Sequence, residues 1–272
     1  MSDAIRGSTR VAGVIGDPIS HSRSPQIHNA AFAELGLDWV FVAFPTAPGR
    51  GAAALDAMRT LDIAGLSVTM PHKRDVALAC DELTETARVL GVVNTVTARG
   101  GSLLGDSTDG EGFLRALADE GIAAEGLQVM VVGAGGAARA ITHALGAGGA
   151  RVAVAARRTD AASEVASLAP GSAATSLEGA AAMLSGFDVL VNATPLGMQG
   201  EDLPFADGAL DGLRMVFDTV YAPDPTPLVA RATARGVHVV NGIGMLVHQA
   251  ALAFEAFTGR SAPLEAMRAA AT

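Results

Sequence analysis

Of the 19 Lys and Arg residues in this 272-residue chain, 18 are arginine and one, Lys73, is lysine. A guanidinium holds its proton at any ordinary pH, whereas an ammonium can give one up. Lys73 ends the polar stretch Ser67-Val68-Thr69-Met70-Pro71-His72-Lys73, which closes an apolar run. That placement suits proton transfer better than chance survival of one lysine. A partner carboxylate is available in Thr108-Asp109, which, like a second polar pair, Asn94-Thr95, sits at or just after a predicted strand end. A carboxylate next to a lone ammonium holds it in place and can share its proton. Asp109 also suits a helix cap before Gly110-Glu111-Gly112, and spacing does not decide between the two roles.

A second group of residues points to phosphate. Gly133-Ala134-Gly135-Gly136-Ala137-Ala138 falls between an apolar strand pattern and a helix pattern. Glycines there let the backbone approach a pyrophosphate, and a helix N-terminus offers free N–H groups and partial positive charge. The next strand pattern ends in Arg157-Arg158-Thr159 rather than in the Asp or Glu that would hold a ribose 2′-hydroxyl. Two guanidiniums and a hydroxyl favour a 2′-phosphate, so the expected cofactor is NADP rather than NAD. Asp160 is expected to cap or start the following helix. Ser22 and Ser24, just before another helix pattern, suit a carboxylate ligand, and Ser24 also suits an N-cap. His21 and Cys80 read as structural, Cys80 as a small apolar filler within a helix.

The elements that must position these residues alternate. Strands are expected at 11–15, 39–44, 65–68, 92–97 and 102–105, with helices from about Ser24, at 52–61 and at 75–90. A second series has strands at 128–132, 151–155, 189–192, 215–219 and 238–241. The Ala-rich stretch 161–182 reads as helical, and a last amphipathic helix covers 245–257. The pattern predicts an α/β protein: an N-terminal α/β unit followed by a doubly wound parallel sheet. Thr194, Val220, Tyr221, Gly242 and Met245 all follow predicted strands of the second unit, where α/β proteins place ligands.

Half of the residues are apolar, enough for a sizeable core, and with nine Phe, one Trp and one Tyr that core must be mostly aliphatic. A formal charge of −9 argues against nucleic acid as a partner, since such binding needs a basic footprint. A single cysteine permits no disulfide framework and fits a reducing compartment. There is no apolar signal core in residues 1–10 and no apolar run of the ~18 residues a membrane span needs, so the expected location is cytoplasmic. The expected partner is a small molecule, with no membrane, no metal, and a monomer or homodimer as the assembly.

Nine blocks, in order, resemble the shikimate dehydrogenases of the shikimate/quinate dehydrogenase family. They are GDPISHSRSPQIHN (16–29), SVTMPHK (67–73), GVVNT (91–95), STDGEGF (107–113), GAGGAARA (133–140), ARRT (156–159), NATPLGM (192–198), DTVYAPDPTPL (218–228) and GIGMLVHQAALAFEAFTG (242–259). The resemblance implies a substrate domain built from 1–108 and 242–272, with a Rossmann-type NADP domain, 109–241, inserted between. It implies Lys73 and Asp109 as the catalytic pair. It implies Ser22, Ser24 and Tyr221 for the substrate carboxylate, and Thr69, Asn94 and Gln249 for the ring hydroxyls. Arg157, Arg158 and Thr159 fall where the family's Asn-Arg-Thr motif meets the adenosine phosphate.

Three positions depart from the family pattern: Ser67 and Ser107, each in place of the commoner Asn, and Arg157 in place of the first Asn of Asn-Arg-Thr. The implied reaction is NADP-dependent interconversion of shikimate and 3-dehydroshikimate in aromatic amino acid biosynthesis. Quinate or aminoshikimate are the alternative substrates, and a non-catalytic NADPH sensor is the alternative of another class. Ser67 is an expected substrate contact with a shorter reach than Asn. Ser67→Asn should therefore change the ratio of specificity constants for shikimate and quinate by roughly two- to ten-fold, the worth of one hydrogen bond. NADP affinity and the unfolding midpoint should stay near wild type. An unchanged ratio with a large loss of stability would make Ser67 buried structure instead.

Overall fold

A computed structural model describes residues 5–272, and the chain divides into two compact units: Met1–Gly112 with Leu246–Thr272, and Phe113–Met245. The sequence-based boundaries lie about four residues earlier, so Asp109 belongs to the first unit. That unit begins with β1 (Arg10–Gly16), α1 (Ser24–Glu34), β2 (Trp39–Pro45), α2 (Gly51–Thr60) and β3 (Gly65–Val68). It continues with α3 (Lys73–Ala79), β4 (Glu82–Leu83), α4 (Glu85–Leu90), β5 (Thr95–Arg99), β6 (Ser102–Asp106) and the first turn of α5 (Asp109–Asp119). Its sheet runs β2-β1-β3-β5-β6-β4. β1 is parallel to β2 and β3, and β5 is antiparallel to β3 and β6.

Three expectations for this unit are corrected. Residues 75–90 are not one helix. The chain turns extended at Cys80, the C-cap of α3. Glu82–Leu83 then pairs with β6, and the Asp81 carboxylate accepts the Leu103 amide at 2.7 Å. Thr84 restarts the helix by capping Ala87 at 3.2 Å, while its hydroxyl donates to Asp106. Helical periodicity on both sides hid a break whose hydrogen bonds go to a distant strand. Second, residues 92–94 precede β5 rather than open it. Third, Arg23 occupies the N-cap of α1 with no side-chain cap bond, Ser24 opens the helix, and Pro25 fills the first turn.

The second unit has β7 (Gln128–Val132), α6 (Gly136–Ala147), β8 (Arg151–Ala156), α7 (Thr159–Ala166), β9 (Ala173–Ser176), α8 (Leu177–Met183), β10 (Val189–Asn192), β11 (Met215–Asp218), α9 (Pro227–Ala234) and β12 (His238–Asn241). All pairings are parallel, in the order β12-β11-β10-β7-β8-β9, a doubly wound sheet. Val129, Val131, Val191 and Phe217 face one apolar layer, and their neighbours Met130, Val132, Leu190 and Val216 face the other. Burial on both faces explains the continuous apolar runs. The Ala-rich stretch conceals β9, a correction to the helical expectation. Alanine favours helix, but pairing with β8 outweighs that local preference.

α10 (Ile243–Thr258) and α11 (Leu264–Ala271) end the chain, and from Leu246 they belong to the first unit. There α10 contributes Phe254 and Phe257 to an aromatic cluster with Phe32, Phe41 and His28. The His28 ring stacks on Phe41 at 4.2 Å, is fully buried, and neither nitrogen has a hydrogen-bond partner. Burial lowers its pKa from 6.5 to about 3, so the folded chain keeps the ring neutral. The folded value is depressed, so an unfolded chain takes up this proton first as pH falls. The ring's contribution is intact above pH 6.5 and is lost progressively as pH drops toward 3. His28→Leu removes the titration. Below pH 6.5 the variant should gain stability over the wild type by about 1.4 kcal/mol per pH unit. Denaturant unfolding across that range would show parallel curves if the ring did not matter.

Candidate active site

Four strand ends of the first unit lie at one edge of its sheet. β1, β3 and β6 run the same way and finish there, and antiparallel β5 starts there. This arrangement brings together residues far apart in sequence. Ser22 and Ser24 follow β1, Ser67 and Thr69 end β3, Lys73 opens α3, Asn94 precedes β5, and Asp109 follows β6. Backbone bonds tie the ends: Val68 N–H donates to the Asn94 carbonyl at 2.7 Å, and Asn94 N–H to that of Asp106 at 3.0 Å. The Asp17 amide reaches the Met70 carbonyl at 3.0 Å, which sets the loop after β1 against the loop after β3.

At this edge the Lys73 ammonium donates to Asp109 Oδ2. Asp109 is buried and Lys73 is 17 % exposed, so the pair is largely screened from water. The other carboxylate oxygen accepts from Asn94 Nδ2 at 2.8 Å. Asn94 Oδ1 in turn takes the Thr108 amide at 2.8 Å and the Thr95 hydroxyl at 3.1 Å. The Thr108 hydroxyl donates to the Gln249 carbonyl at 3.1 Å, and the Gln249 side-chain oxygen lies 3.4 Å from Asn94 Nδ2. Asp109 thus serves as an ion-pair partner and is not spent on capping. These bonds join Lys73, Asp109, Asn94, Thr95, Thr108 and Gln249 in one connected network, which restrains the ammonium. Sequence reasoning singled out Lys73, Asn94, Asp109 and Gln249; it gave Thr108 no role, although that residue joins two of them.

The remaining first-unit candidates flank this centre. Ser22 Oγ accepts the Ser24 amide at 3.3 Å, and Ser24 is buried while Ser22 is half-buried. Ser67 is buried on β3, paired with Thr95, and Thr69 is half-buried at the strand's end. His21 is exposed. Cys80 caps α3 against the core instead of filling a helix interior, and burial pushes its thiol up to about 11, which leaves it unreactive.

The second unit gathers its candidates at the C-terminal ends of parallel strands. Gly133 follows β7 at φ +130°, and a Cβ there would meet the Ala193 carbonyl, after β10, at 2.7 Å. These two strands are neighbours at the reversal point of the sheet order, where such folds bind ligands. Gly135 is the N-cap of α6, makes no side-chain cap bond, and has open space around its α-carbon. The first amides of α6, from Gly136 and Ala137, suit a pyrophosphate, with Ala134 in the same turn. Arg157, Arg158 and Thr159 are exposed just past β8, where a 2′-phosphate would meet them. Arg158 lies 3.8 Å from Asp160, both about three-quarters exposed, so this pair is weak enough to exchange for a phosphate. Asp160 sits in the first turn of α7.

Thr194, Val220 and Tyr221 follow β10 and β11, and Gly242 and Met245 follow β12. One residue that sequence reasoning gave no role holds two of these ends together. Buried Asp218 accepts from Asn192 Nδ2 at 2.9 Å, the Val220 amide at 3.0 Å and the Thr226 hydroxyl at 2.6 Å. Burial raises its pKa, and those hydrogen bonds pull the other way. The Thr194 hydroxyl bonds the same Asn192 at 2.7 Å. The signal was an Asp ending an apolar strand, which reads equally as a loop residue.

The chain is similar to known proteins over nearly its whole length. Residues 14–96 match a shikimate dehydrogenase substrate-binding domain, 116–197 a shikimate/quinate 5-dehydrogenase, and 242–272 a shikimate 5′-dehydrogenase C-terminal domain. A shikimate dehydrogenase (NADP+) of Citrifermentans bemidjiense is 44% identical over 270 residues, 95% of this chain and 93% of the relative. The chain belongs to the shikimate dehydrogenase family. A crystal structure from Thermus thermophilus, in complex with NADP(H) and shikimate, is 34% identical with a TM-score of 0.88, over 96% of this chain and 98% of that one. A quinate dehydrogenase from Corynebacterium glutamicum in complex with NAD is 32% identical with a TM-score of 0.87, over 96% and 98%.

In this member of the shikimate dehydrogenase family the paired arginines after β8 make a direct test. Arg158→Ala should raise the Michaelis constant for NADP about ten- to a hundred-fold, the worth of one charge-assisted phosphate contact, and leave that for NAD nearly unchanged. An equal effect on both nucleotides would show that Arg158 does not read the 2′-phosphate.

Proposed function

We propose that the protein is an NADP-dependent oxidoreductase that interconverts shikimate and 3-dehydroshikimate. The observation that carries this reading is the Lys73–Asp109 pair, largely screened from water and locked by Asn94 at the edge where four strand ends meet. Names of relatives similar over nearly the whole chain support it. NADPH, when bound, supplies the hydride. The Lys73 ammonium gives its proton to the oxygen of the C3 carbonyl as that oxygen gains negative charge, and takes it back in the oxidative direction. Asp109 keeps the ammonium in place and stabilises its charge. Asn94, Thr69 and Gln249 hold the ring hydroxyls, while Ser22, Ser24 and Tyr221 take the carboxylate. Gly133 to Ala137, Arg157, Arg158, Thr159, Thr194, Val220, Gly242 and Met245 hold the nucleotide.

The first unit thus acts as the substrate domain and the second as the NADP domain. Ser67, with the similarity to a quinate dehydrogenase, supports quinate as a second substrate. A non-catalytic sensor needs neither Lys73 nor Asp109, so their pairing favours an enzyme. The assembly is a monomer or homodimer. A cytoplasmic location fits one half-buried, unreactive cysteine, and among the described residues no helix is long and apolar enough to cross a membrane.

Steady-state assays with shikimate and quinate, each with NADP and NAD, test the reading. Lys73→Ala should lower kcat by at least ~10²-fold, the usual range of acid–base assistance, with little change in the Michaelis constant for shikimate. Lys73→Arg should rescue poorly, because a guanidinium keeps its proton. If the alanine variant retains more than about a tenth of wild-type turnover, the proton is handled elsewhere.

A further inference from the structure

The residue before Lys73 is anchored through its side chain to a distant part of the chain. His72 is the N-cap of that helix, and its side chain is fully buried, yet it makes no capping bond. Its Nε2 instead lies 2.7 Å from the carbonyl oxygen of Thr46, which follows β2. A carbonyl accepts and never donates, so Nε2 carries the hydrogen. Its Nδ1 lies 3.4 Å from Asp75 Oδ2, and that same oxygen accepts the amide of Gly51, the first residue of α2, at 3.1 Å. The imidazole therefore ties the first turn of α3 to the end of β2, and Asp75 of the same helix ties it to the start of α2. Backbone bonds complete the seat: His72 N–H donates to the Thr69 carbonyl at 3.0 Å, and the Lys73 carbonyl accepts from Val93 at 2.8 Å.

A lysine side chain is a long flexible stem, so where its ammonium sits depends on where its root is held. Displacing a reacting group by ~1 Å costs on the order of 10²-fold in rate. An apolar side chain of similar size at position 72 would fill the same space but offer the Thr46 carbonyl no donor. We propose that His72 is a positioning residue. Through its Nε2–H bond to Thr46 it fixes the first turn of α3, and with it the Lys73 ammonium within reach of Asp109. The inference rests on the catalytic reading of Lys73.

Three variants of the full chain test it. In His72→Gln the terminal amide can still donate to the Thr46 carbonyl. In His72→Asn the amide ends near the Nδ1 position, short of Thr46, and His72→Leu has no donor. The measurements are kcat, the Michaelis constants for shikimate and NADP, the unfolding midpoint, and the side-chain nitrogen resonance of isotope-labelled lysine. Because Lys73 is the single lysine, that resonance reports its environment alone. The Leu and Asn variants should lower kcat by roughly 10- to 100-fold, with both Michaelis constants within about two-fold, and should shift or broaden the lysine signal. The Gln variant should stay within about three-fold of wild type and keep the signal.

Wild-type kcat with an unmoved signal in Leu and Asn would overturn the proposal. So would a Gln variant as impaired as Leu, or losses that merely track the unfolding midpoint. If the Leu variant does not fold, the Asn–Gln pair decides. A wild-type chain inert toward shikimate would sink the functional reading, while the lysine signal would still decide for or against His72.

Discussion

The first unit is organised around one buried carboxylate. Asp109 sits where water cannot solvate a charge well, and a buried charge is tolerated only when paired and hydrogen-bonded. One of its oxygens is met by the Lys73 ammonium and the other by Asn94, so α3, the start of β5 and the end of β6 must converge. Asn94 then needs acceptors and donors of its own, and finds them in Thr95, Thr108 and Gln249. The same polar contacts that make the charge affordable hold the ammonium in one place. Structure and chemistry therefore share a single set of hydrogen bonds.

The second unit solves a different problem with backbone rather than charge. A dinucleotide site needs main chain close to phosphates, and that requires a residue without Cβ where β7 meets the end of β10. Gly133, in a conformation that favours glycine, supplies it. Asp218 then fixes the loops after β10 and β11 through Asn192, Val220 and Thr226. Its elevated pKa is the electrostatic cost of burying a carboxylate whose partners are neutral dipoles. Overall acidity does not oppose an anionic ligand here, because Arg157 and Arg158 are exposed at the strand end and fields are local in salt.

Much of this was legible from residue types and order. The solitary lysine, the glycine turn and the arginine pair each carry a chemistry that few other residues can supply. The doubly wound sheet followed from continuous apolar strands spaced by helices, because burial on both faces leaves that imprint. The nine ordered blocks carry the resemblance to shikimate dehydrogenases in the sequence itself. The errors fell where local pattern and long-range pairing disagree. β4 and β9 are short edge strands whose residues favour helix or coil in isolation, and pairing with β6 and β8 decided them.

What the sequence determined by itself was the inventory: which side chains can move a proton, meet a phosphate or bind a carboxylate. What the tertiary structure decided was partnership. Asp109 reads equally as a cap or a base partner until three strand ends meet around it. Thr108 and Asp218 look like ordinary loop residues until their hydrogen bonds are traced. His72 and Thr46 are 26 positions apart, and their bond exists because β2 and β3 end at the same edge of the sheet. Side-chain chemistry is a property of single residues and can be read one letter at a time. Hydrogen-bond geometry is a property of pairs separated along the chain, and it exists once folding has set strand order and register.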